Sequence, residues 1–117
     1  MEQGNLYTKP NGQRGWVMGY FMPESSPYHN EDFELQWAEL KKGTKREHTK
    51  PAHKTAKTLS ILGRGKHRIT FTETGEEILL EKEGDYVYFD AATEHSWEAL
   101  EDSLIISVRW PSEPDGN

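Results

Sequence analysis

An all-β fold is predicted for this 117-residue chain, and three features predict it. Short apolar stretches alternate with polar residues at a period of two, the spacing that puts one set of side chains on each face of a strand. Glycine, proline and asparagine punctuate the chain at close intervals, at Pro23, Pro27–Asn30, Gly43, Gly63–Gly65, Gly75 and Gly84. No segment sustains a helical period. Eight or nine short strands separated by turns imply a closed or double-sheet domain.

In chain order, residues 1–15 are polar and rich in Gly, Asn and Gln, and are expected to form an arm; residues 16–112 form one barrel domain and residues 113–117 a tail. Trp16 opens WVMGYFMP, a strand ended by Pro23. FELQWAEL follows, with Phe33, Leu35 and Trp37 alternating with Glu34 and Gln36, the pattern of a half-buried strand. Gly43 ends it, and a basic, proline-containing segment runs from Thr44 to Ala52. From His53 a further strand runs to Leu62 and turns at Gly63–Gly65. His67, Ile69 and Phe71 share a face of the next strand, which turns at Thr74–Glu76 and returns through Ile78–Leu80. Tyr86–Phe89, the strand restarting at His95 and SLIISVRW (Ser103–Trp110) complete the set.

Composition limits the functions open to such a domain. Only 33% of residues are hydrophobic, but four Trp, five Tyr and four Phe carry enough apolar surface for a small core. A net charge of −6 argues against nucleic acid or an anionic membrane as partner. The absence of cysteine excludes disulfides, thiol nucleophiles and thiolate-bound metal. No apolar run approaches the roughly 20 residues of a membrane span, and no apolar leader precedes the barrel, so a cytoplasmic location is expected.

The stretch from Gly84 to Ala99, GDYVYFDAATEHSWEA, reads as strand, tight turn and strand with a histidine where the second strand begins. It resembles the second motif of the cupin superfamily, G-x5-P-x-G-x2-H-x3-N. Gly84 and His95 fall on the family's glycine and histidine, while Asp90, Ala92 and Ala99 replace its proline, second glycine and asparagine. Gly43 to Gly63 lies where cupins of the RmlC-like type carry their first motif, G-x5-H-x-H-x3-4-E-x6-G, and LSILGRGKHRITF is similar to the strand pair after it. The resemblance spans about Phe33 to Ser112. It implies a double-stranded β-helix, a jelly-roll barrel whose mouth holds a metal or a ligand.

In metal-binding cupins two histidines and a glutamate of the first motif join the histidine of the second around Fe, Mn, Ni or Zn. By that resemblance the candidate metal ligands are His95, His53 and, displaced along the chain with Pro51 between, His48. No carboxylate stands at the glutamate's place. One register puts Lys57 there, facing inward with the parity of His53, Leu59 and Ile61; a register turned by one residue puts Thr58 inward and Lys57 in solvent. Three imidazoles would suffice for a metal. Lys57, His67 and Trp97 are candidate ligand-binding residues, and His29 is expected at the surface. Two readings stay open. In one, the barrel mouth binds a small polar molecule, with a histidine-held metal for oxygenase, isomerase or lyase chemistry. In the other, a metal-free binding or sensory module holds an anion near Lys57, His67 and His95. The family habit of pairing also implies a homodimer, formed through an edge strand or the N-terminal arm.

Overall fold

The structure, a computed structural model, describes residues 1–9, 15–47 and 55–113. Nine strands run β1 (Trp16–Met18), β2 (Glu34–Leu40), β3 (Lys45–Arg46), β4 (Lys57–Arg64), β5 (His67–Phe71), β6 (Glu77–Leu80), β7 (Tyr86–Phe89), β8 (His95–Ala99) and β9 (Ser103–Trp110). They form two antiparallel sheets, one ordered β1-β2-β9-β4-β7 and the other β3-β8-β5-β6. Among the described residues no helix is long and apolar enough to cross a membrane.

The turns follow from residues able to adopt a left-handed backbone. Gly65, at φ 92°, sits between β4 and β5. There the Ser103 hydroxyl accepts from the Lys66 N–H at 3.0 Å and so ties the turn to β9. Ala92, in the turn between β7 and β8, holds a φ of 59° although it carries a Cβ. This is the position where the second cupin motif has glycine, and it explains why glycine is preferred there.

Between the sheets lies a core of Ala38, Leu62, Ile69, Leu80, Val87 and Ile105, with Trp97 and Phe71 packed against it. Leu62 and Leu80 are almost fully hidden, which for side chains of their size is worth about 1.5–3 kcal/mol each.

Register decides the rest, and it departs from the hydrophobic pattern in β2. Glu34 is fully buried and Ala38 is buried, while Leu35 and Trp37 face outward and are half-buried. A carboxylate can take the inward place because Arg109, its neighbour in the register on β9, meets it at 2.5 Å. Its other oxygen accepts from the Ser112 hydroxyl at 2.8 Å, and that hydroxyl accepts from the Tyr20 N–H. In β4 the inward residues are Thr58, Ser60 and Leu62. Lys57 is exposed, so its inward placement is corrected: the register turned by one residue is the one adopted.

The N-terminal segment lies against the barrel. Tyr7 stands edge-on to Trp37 at 5.2 Å, Lys9 lies over the Tyr28 ring, and the Tyr28 hydroxyl donates to Glu2 at 2.6 Å.

Candidate functional site

Inward-facing residues from both sheets build the site toward the end of the barrel where β8 begins. From the larger sheet come two rows set by the register, Glu34–Arg109–Thr58–Phe89 and Gln36–Ser107–Ser60–Val87. Apart from Phe89 and Val87, these side chains are polar. The Ser60 and Ser107 hydroxyls hydrogen-bond to each other at 2.8 Å, and the Arg109 guanidinium lies 4.1 Å from the Trp16 ring centre. From the smaller sheet come Phe71 opposite His95 and Ile69 opposite Trp97. One wall is therefore hydrogen-bonding and the other mainly aromatic, the combination that orients and shelters a small polar molecule.

His95 is half-buried and packs against Phe89, with ring centres 4.6 Å apart. Its Nδ1–H donates to the Thr93 carbonyl at 3.1 Å, a bond that leaves the ring lone pair on Nε2. Burial pushes its pKa below the ordinary value; the Thr93 carbonyl opposes this and the Arg109 cation adds to it. His67 lies deeper, 4% exposed, with its ring 5.4 Å from that of Trp97. Burial alone lowers its pKa to about 4, so it is neutral at physiological pH.

The structure thus brings His95, Trp97 and His67 to the barrel interior and leaves Lys57 outside. His48 and His53 lie outside the described residues. His29, expected at the surface, is half-buried: its Nδ1–H donates to the Met22 carbonyl at 2.8 Å, and Glu31 stands 3.5 Å from Nε2. Sequence reasoning missed Arg109, Glu34 and the Ser60–Ser107 pair. The parity of SLIISVRW carries the signal, since Ser103, Ser107 and Arg109 share a face with Ile105, but reading it required knowing which face was inside.

Metal fits the described residues poorly. Among them no three His, Asp or Glu side chains gather as a metal group. Beside His95 stands the cation Arg109, and the carboxylate within this interior, Glu34, is already paired to it. A cleft of about 250 Å³ opens nearby, lined by Phe71, Phe89 and Tyr88 together with Glu73, Glu76 and Glu94. None of the described candidate residues lines it, and its glutamates make it unsuited to an anion.

Comparison with solved structures places the architecture. KdgF from a Halomonas species superposes with a TM-score of 0.64 at 24% identity, over 74% of this chain and 76% of that one. An RmlC-like cupin from Shewanella frigidimarina gives 0.61 at 17% identity, over 74% and 73%. A Cupin 2 conserved barrel domain protein from Salinispora arenicola gives 0.59 at 21% identity, over 76% and 70%. No protein-family model matches the sequence, and no curated protein matches it. At these identities the likeness speaks for the fold, and it agrees with the two-sheet, all-β topology. The described residues adopt the cupin fold, an all-β jelly-roll barrel.

Proposed function

We propose that the barrel binds a small polar molecule carrying a negative charge, held between the aromatic wall of His95, Trp97 and Phe71 and the polar wall of Arg109, Ser60 and Ser107. The observation that carries this reading is Arg109, a guanidinium turned into the barrel beside a histidine rather than out to solvent. A guanidinium is a rigid, planar fork whose geometry matches a carboxylate, and Glu34 is already one such partner of Arg109. The cation assigned to the ligand therefore shifts from Lys57 to Arg109.

A second reading is a divalent metal held by His95 with His48 and His53. It is favoured by the Nδ1–H bond to Thr93, because a metal-ligating histidine commonly donates its other ring N–H to a carbonyl in this way. Such a metal would polarise a bound oxygen or carbonyl of the substrate.

Thermal melting against a panel of small carboxylates, alongside metal analysis of untagged protein, separates the two. The first reading expects carboxylates to raise the melting temperature of metal-free protein, with the effect reduced in a His95→Gln variant. About one equivalent of metal, lost in that variant, with no carboxylate effect on the metal-free protein, would establish the second and overturn the first.

A further inference from the structure

The cleft that opens beside the barrel interior differs from it in charge. It lies where the β5–β6 turn meets the end of β7 and the β7–β8 turn, and its lining is partly aromatic. Phe71 and Phe89 meet at 69° with ring centres 5.5 Å apart, which makes a corner, and Tyr88, 45% exposed, adds a third ring. The Tyr88 hydroxyl donates to Asp90 at 2.5 Å, which holds that ring in place. Three carboxylates, Glu73, Glu76 and Glu94, stand around the rings, with no lysine, arginine or histidine in the lining. None of the three has an ion-pair partner among the described residues. Nor do they converge, since among the described residues no three His, Asp or Glu side chains gather as a metal group. Backbone bonds fix the shape in advance: the Thr72 N–H donates to the Glu94 carbonyl at 3.2 Å, tying the two turns together, and the Phe71 N–H donates to the Glu76 carbonyl at 2.9 Å.

We propose that this cleft binds a small organic cation, an alkylated amine or a quaternary ammonium, with its alkyl groups against Phe71, Phe89 and Tyr88 and its charge in the field of the three glutamates. The rings and the spread of the acids together select that class. The face of an aromatic ring is negative, so a cation within about 6 Å of the ring centre is drawn to it. A quaternary ammonium suits such a surface best, because it has no N–H to leave unsatisfied. A bare divalent ion is disfavoured: it needs about six or more oxygen ligands in a tight shell, and carboxylates set apart around aromatic rings do not supply one. At about 250 Å³ the cleft is slightly below the roughly 300–1,000 Å³ of pockets for drug-sized molecules, which fits a small ligand. The anion proposed for the interior rests on Arg109 instead, and of the residues assigned to it only Phe71 also lines the cleft.

The test titrates the full chain against tetramethylammonium chloride at low ionic strength and follows the methyl proton resonance of the probe. Ring currents should move that resonance upfield and saturably, a shift that attraction to the net negative charge alone does not produce. Neopentyl alcohol, similar in shape but uncharged, should bind about tenfold more weakly. Glu94→Gln and Tyr88→Leu should each weaken the ammonium about three- to fivefold, whereas Glu39→Gln, at an exposed acid on β2, should leave it unchanged. Should either cleft variant not fold, Glu73→Gln at its exposed turn position reads the same cleft. Absence of a saturable shift, equal binding of neopentyl alcohol, or full affinity in the folded cleft variants overturns the proposal. The carboxylate melting experiment reads Arg109 and His95, so either site can fail without the other.

Discussion

Replacing His67 with leucine tests whether the barrel's interior is as dry as its packing implies. The imidazole is 4% exposed, and its Nδ1 has no hydrogen-bond partner among the described residues. Its pKa falls from 6.5 to about 4 on folding. A base whose folded pKa is depressed stays neutral in the native state while the unfolded chain takes up a proton. Its contribution is therefore fully present above pH 6.5 and is lost as the pH falls toward about 4. The whole gap is worth about 3.4 kcal/mol at about 1.4 kcal/mol per unit, of which about 1.8 kcal/mol falls between pH 7 and pH 5. That is a large part of the roughly 5–15 kcal/mol of a typical domain. Urea denaturation at those two pH values reads it directly. With a slope near about 1.5 kcal/mol per molar, the wild-type midpoint should drop by about 1 M more than that of His67→Leu. Groups common to both proteins cancel in the comparison. If both proteins lose the same stability on acidification, His67 titrates normally in the folded state and the argument for a dry interior fails.

Two further perturbations probe the parts that shape the site. Arg109→Met leaves the fully buried Glu34 carboxylate without its counter-ion and should lower unfolding free energy by about 3–5 kcal/mol; an effect below about 1 kcal/mol would show that the pair is hydrated. Gly65→Ala and Gly84→Ala both place a Cβ at φ 92°, but at Gly65 it would fall onto Ser103 and the Asp102 carbonyl, whereas at Gly84 nothing lies within 4 Å. Gly84→Ala should cost about 1 kcal/mol, the strain of the backbone alone, and Gly65→Ala clearly more; equal losses in chemical denaturation would contradict the turn geometry.

Strand number, most turn positions and the start of a strand at His95 were legible in the sequence alone, although the first strand, expected to run to Pro23, ends at Met18. Period-two alternation and left-handed glycines are local properties, and the spacing from Gly84 to His95 marks one strand-turn-strand unit. The shared face of His67, Ile69 and Phe71 could be read for the same reason, and it is the face that turns inward. What only the tertiary structure decided is which side of each strand is inside. In β2 and β4 both faces carry apolar residues, so hydrophobic count favoured the wrong one: Leu35 and Trp37 lie outside while Glu34 lies inside, and Lys57 yields to Thr58. A carboxylate is admitted to a core only when a distant residue neutralises it, and Arg109 stands 75 positions along the chain from Glu34. No local pattern carries that pairing. It exists because β2 and β9 are neighbours in the sheet, and it sets a buried ion pair beside the apolar core of Leu62, Val87 and Ile105.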